Sequence, residues 1–177
     1  MHSVELMQRG LREAFDMVRT RLQGLTDEEF FWEPVPGCWT VYLDSATGRW
    51  TAHYAEPDPD PAPITTIGWR LVHIAQCKVM YHEYAFGPGR LTWWNIDYPH
   101  TADAAIAMLE EGQSLLEADL FALSDGDLDE PRATNWGEIW PAWRIFWTMV
   151  HHDLHHGAEI GVLRDLYRVG NAGSAAG

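Results

Sequence analysis

Four segments of this chain repeat apolar residues at helical spacing, and each is closed off by proline, glycine or a polar loop. Leu6, Leu11, Phe15, Val18 and Leu22 mark the first, from about Ser3 to Gln23. Thr26-Asp27-Glu28-Glu29 reads as an N-cap with an acidic first turn, opening a short helical turn that Pro34, Pro36 and Gly37 end. The second long helix starts at a Thr65 or Thr66 cap and stops near Phe86, before Gly87-Pro88-Gly89. The third opens at Thr101 and Asp103 and carries Ile106, Leu109, Leu115, Leu116 and Leu120 to near Leu123. The fourth begins at Trp140-Pro141, where proline is tolerated in the first turn, and continues to about Arg168. Such a pattern predicts an all-α protein, a four-helix bundle of antiparallel helices.

Between the first two long helices the period changes. Trp39, Val41 and Leu43 alternate, Asp44 to Gly48 turns the chain, and Trp50, Ala52 and Tyr54 alternate again, which predicts a small β-hairpin insertion. Residues 56–63 alternate proline with other residues and read as an extended linker. Ser124 to Glu138 reads as a polar loop. Residues 1–169 are expected to form one bundle domain, and residues 170–177, small and polar, a disordered tail.

With 26 acidic against 12 basic residues and a formal charge of −14, the chain lacks the Lys/Arg clusters that bind phosphates, so neither nucleic acid nor an anionic membrane surface is an expected partner. Cys38 and Cys77 lie far apart, too few for a disulfide scaffold or a cysteine-rich zinc site. No apolar run is long enough to span a bilayer and the start is amphipathic, so a cytoplasmic protein is expected.

Chemistry concentrates in Val150-His151-His152-Asp153-Leu154-His155-His156-Gly157. Two interleaved pairs, His151/His155 and His152/His156, are spaced i, i+4, which sets two imidazoles one turn apart on one helical face, within reach of one cation. Unrolled at about 100° per residue, the fourth helix groups Trp143, Trp147, Val150, Leu154 and Gly161 in one sector, taken as the core stripe. His151 and His155 then flank the interior, whereas His152 and His156 face water or a subunit interface. On the second helix Trp69, His73, Cys77, Met80 and Tyr84 share a side, and His73 is the third candidate ligand. His82 lies on another face. His2, His53 and His100 receive no role, and Arg164 and Asp165 read as structural. Cys77 is either a fourth ligand or a small buried hydrophobe. Trp69, Tyr84 and Trp143 either line a pocket or pack in the core.

Ile67-Gly68-Trp69-Arg70-Leu71-Val72-His73-Ile74, the block from His151 to Ile160, and Leu163-Arg164-Asp165-Leu166-Tyr167 together resemble the DinB-like superfamily of bacterial four-helix bundles, which includes mycothiol- and bacillithiol-dependent enzymes. The resemblance implies a divalent metal, zinc or nickel, held by His73, His151 and His155, and frequently a homodimer. Three histidines without a fourth protein ligand leave an open position, as catalytic metal sites do. Glu159, one turn beyond His155, is a candidate general base or partner of a ligand imidazole, or an exposed carboxylate. The resemblance implies transfer of a low-molecular-weight thiol, mycothiol or bacillithiol, to a small electrophilic substrate. A metal-activated hydrolase and a bundle that binds metal or a small ligand without turnover are the competing readings.

Overall fold

A computed structural model describes residues 2–57 and 59–172. Its long helices are α1 (Ser3–Leu22), α3 (Ile67–Ala85), α4 (Ala102–Phe121) and α5 (Ala142–Ala172), with a single helical turn α2 (Asp27–Phe31) after α1. The caps foreseen in the sequence form: Thr26, Thr66 and Thr101 accept from the backbone N–H of Glu29, Trp69 and Ala104. The helix α5 runs through Gly170, Asn171 and Ala172, so this part of the expected tail is helical, while residues 173–177 lie outside the described residues. No helix among the described residues is long and apolar enough to cross a membrane.

The hairpin is present as β1 (Val41–Asp44) and β2 (Arg49–Ala52), paired Val41 to Ala52 and Asp44 to Arg49. Its base is tied to the start of α3, because Trp39 N–H donates to Ile64 O and Thr66 N–H donates to Trp39 O, both at 2.8 Å. A second small hairpin, β3 (Pro131–Ala133) with β4 (Ile139–Pro141), occupies the region read from sequence as a polar loop. Thr134 makes this turn: its N–H and hydroxyl both donate to Glu138 O.

The helices do not all alternate in direction. Lys78 meets Gln113 and His82 meets Asp119, so α3 and α4 run parallel. Gly157 packs on Val18 and Gly161 on Arg21, so α1 and α5 are parallel too. Arg70 with Glu159, and Lys78 with Asp153, show α3 antiparallel to α5. Parallel neighbours need a long return connection. Residues 86–101 supply it between α3 and α4.

Along its length the core divides into two apolar clusters. One holds Val18, Leu22, Phe30, Ile67, Leu71, Leu109 and Ile160, the other Leu11, Cys77, Tyr81, Leu116, Phe146 and Met149. Between them, by position on α3, α4 and α5, stands a buried polar group. Lys78 Nζ donates to Asp153 Oδ2 at 2.7 Å and to Gln113 Oε1 at 2.9 Å. Burial disfavours both charges, lowering the Lys78 pKa and raising that of Asp153, and their pairing opposes this. The histidine-bearing turns of α3 and α5 lie at this polar level.

Candidate metal centre

His73 projects from the middle of α3 with its ring against Trp69, four residues earlier, at a centroid distance of 5.0 Å and an interplanar angle of 15°. Trp69 is itself fixed, since its Nε1–H donates to the His53 carbonyl at the end of the β1–β2 hairpin, at 2.8 Å. Across the α3–α5 interface the facing imidazoles are those of His152 and His156. Ring centroids are 5.3 Å apart for His73 and His152, 5.0 Å for His73 and His156, and 5.3 Å for His152 and His156. One nitrogen from each of the three rings lies within 4.8 Å of the others.

The electrostatics suit cation binding by neutral rings. Burial lowers the pKa of His73 well below its ordinary value, reinforced by His156, His152 and Arg70. Burial, followed by Lys78, brings His152 down to about 4. Burial, followed by His152 and Arg70, brings His156 down to about 3. Neutral imidazole is the form that ligates metals. The Nδ1 atom of His152 is buried and has no hydrogen-bond partner, which is rare for a polar atom unless something else occupies it. Three neutral imidazoles, one of them with a buried nitrogen that has no partner, fit a divalent transition-metal ion.

The sequence-derived pair is not brought to His73. His151 and His155 are exposed; His151 packs edge-on against Trp147 at 4.6 Å, and the His155 side chain is 68% accessible. The inward face of α5 consists of Ala142, Ile145, Phe146, Met149, Val150, Asp153, His156 and Ile160, all buried. Of the core stripe taken from the sequence, Val150 and Gly161 are buried, whereas Trp143, Trp147 and Leu154 are 39%, 46% and 42% exposed. The tryptophans displaced the deduced stripe by about one position, which exchanged the two histidine pairs. A signal was present: Asp153 is the acidic partner for Lys78, an otherwise unexplained lysine on the apolar helix α3, and placing it inward carries His152 and His156 with it.

Other candidates fall as follows. Cys77 Sγ is 4.0 Å from both ring nitrogens of His73, and burial pushes its thiol up to about 12, so it stays a protonated, apolar neighbour. Trp143 is on the outer face of α5, 39% exposed. His82 Nδ1 pairs with Asp119 at 2.7 Å, away from the triad. Arg164 is structural, as expected: it holds Glu29 through Nε and Nη2 at 3.1 and 2.8 Å and reaches the carbonyls of Arg21 and Gln23. Glu159 stands beside His156, whose Nδ1 lies 2.6 Å from Oε2, and Arg70 Nε is 3.0 Å from the same oxygen. The α5 side of the triad opens on a broad surface depression of about 630 Å³ lined by His151, His152, Leu154, His155 and His156.

These features can be set beside known proteins. The family model described as the DinB superfamily matches residues 11–160, a span that includes His73, His152 and His156. A DinB-like protein from Bacillus cereus has a similar structure, with a TM-score of 0.61 at 17% identity over 92% of each chain. A conserved protein from Enterococcus faecalis gives a TM-score of 0.56 at 14% identity, covering 94% of this chain and 97% of its own. At these identities the two structures bear on the fold alone. No functionally curated protein matches. With most of its length under the family model and the same fold in both neighbours, the chain belongs to the DinB superfamily.

Proposed function

We propose that this protein is a divalent-metal-dependent enzyme in which His73, His152 and His156 hold the ion, zinc or nickel. The observation that carries the reading is the convergence of three uncharged imidazoles from two helices at the polar level of the core, one of them with an orphaned nitrogen. His151 and His155 are not ligands in this reading; they line the open depression on α5 together with His152 and His156.

The reaction proposed is transfer of a low-molecular-weight thiol, mycothiol or bacillithiol, to a small electrophile. Three nitrogen ligands leave room for an exogenous group, and a bound divalent ion lowers the pKa of water or a thiol toward neutrality. The chain's own residues supply the frame. Trp69 holds the His73 ring from one side, and the Lys78–Asp153 pair secures the turn of α5 that bears His152. Hydrolysis is less well supported. A hydrolase of this kind needs a carboxylate free to take a proton from water, and the Glu159 Oε2 atom is already engaged by both His156 and Arg70. A homodimer belongs to the same proposal, with the exposed Trp143 and Trp147 on α5 as the apolar surface available to a second copy.

Elemental analysis of protein purified without a histidine tag tests the metal. About one equivalent in the native chain, lost in His73→Ala, is the expected result, and full retention of metal by that variant would remove the proposed ligand set. A panel of thiols with an electrophilic acceptor tests the reaction. Thiol-dependent turnover that disappears with the metal is expected; turnover of ester or amide substrates alone would favour hydrolysis.

A further inference from the structure

We propose that Glu159 and Arg70 are positioning residues that fix the orientation of the imidazoles of His156 and His73 and so link the ligand on α3 to those on α5. This role rests on the ligand set proposed above. A carboxylate can only accept, so the 2.6 Å contact makes His156 Nδ1–H the donor to Glu159 Oε2. The proton of the neutral ring is then fixed on Nδ1, and the lone pair sits on Nε2, on the side of the ring away from Glu159. Imidazole ligands in metal sites are commonly held in this way by a carboxylate on their second nitrogen.

Arg70 makes the link between helices. Its Nε is 3.0 Å from the same Glu159 oxygen, and its side chain is only 18% exposed. Its guanidinium carbon also lies over the Trp69 ring, 5.2 Å from the centroid, and Trp69 is the ring stacked on His73. One guanidinium therefore steadies the carboxylate that orients His156 and the indole that backs His73. Fixing both ligands through one α3 side chain keeps their separation independent of side-chain motion on either helix alone.

His155, His156 and Glu159 also cluster closely enough to suggest a separate cation site. The Arg70 guanidinium occupies the carboxylate from the α3 side and repels a second cation there. The cluster is accordingly assigned to orientation, with His155 Nε2 at 3.5 Å from Oε1 on its exposed rim.

The test uses the tag-free full chain with Co²⁺ as probe. Affinity is measured by competition with a chromophoric chelator, geometry by the visible d–d bands, and folding by circular dichroism. Glu159→Ala is expected to weaken Co²⁺ binding by about 10–100-fold and to alter the bands. Glu159→Gln, which keeps an acceptor but loses the charge, recovers part of the affinity. Arg70→Ala weakens binding in the same direction, and Arg70→Lys restores part of it. A packing role would predict none of these conservative rescues. Wild-type affinity and unchanged bands in the folded Glu159→Gln and Arg70→Ala variants would overturn the positioning role while leaving the ligand set intact. Two Co²⁺ ions per chain, with one lost in both His155→Ala and Glu159→Gln, would make Glu159 a ligand and overturn it as well. No Co²⁺ uptake by the wild type would remove the ligand set and this role together.

Discussion

On α5, His152 and His156 share a face with Met149, Asp153 and Ile160, all buried or turned toward α3, whereas His151 and His155 share one with Trp143, Trp147 and Leu154, all exposed. The two faces contain the same titratable residue at the same spacing, one position apart. The outer face carries the bulkier apolar side chains beside its histidines, Trp143 and Trp147. The inner face carries an aspartate and the two histidines, and it is nevertheless the one that packs. Its interior position is set by complementarity with the other helices: Asp153 matches Lys78, Gly157 admits Val18, and Ile160 joins the apolar cluster beyond. The bulk of the two tryptophans points to the wrong face; partnership with the other helices points to the right one.

Substitutions on the two faces put this contrast under strain, and all are measured as unfolding free energies by urea titration with metal chelated. Asp153→Ala removes the partner of a fully buried lysine and is expected to cost about 3–5 kcal/mol, because an uncompensated charge is left in the core. A loss below about 1 kcal/mol would mean that Lys78 escapes to water and that the polar level is not sealed. Met149→Ala, on the same face among Ile145, Phe146 and Leu116, should cost about 2–5 kcal/mol through the cavity it leaves. Gly157→Ala comes next. A Cβ there would lie 2.8 Å from Val18 Cγ2, and a β-branched neighbour has little freedom to move, so about 1–3 kcal/mol is expected. Leu154→Ala, on the outer face, should change stability by less than about 0.5 kcal/mol. If Leu154→Ala cost as much as Met149→Ala, the inner and outer faces would have to be exchanged.

Much of this architecture is legible in the sequence because it depends on local rules. Threonine caps, proline and glycine stops, and the alternation from Trp39 to Tyr54 each act within a few residues, and the corresponding elements form with ends close to those expected. The grouping of Trp69, His73 and Cys77 on one side of α3 is also legible from helical spacing, and their side chains do meet. The rotation of α5 is not local. Trp143, Trp147 and Leu154 mimic a core stripe, and their exposure is decided by α1 and α3, which offer their small and polar complements to the neighbouring face. The same limit applies to direction: helical periodicity carries no information on whether α1 and α5 run parallel, which only the contacts of Val18 with Gly157 and Arg21 with Gly161 reveal. The β3–β4 hairpin was hidden for a related reason. Its strands are three residues each, too short for alternation to register, and its turn is made by the side chain of Thr134.

Metal content of two double variants, measured by elemental analysis of tag-free protein after dialysis against the same buffer, tests the central claim most directly. With His73, His152 and His156 as the ligands, His152→Ala/His156→Ala loses its ion and His151→Ala/His155→Ala keeps about one equivalent. Loss of the ion from the second variant with retention by the first would contradict the account and return the site to the outer face of α5.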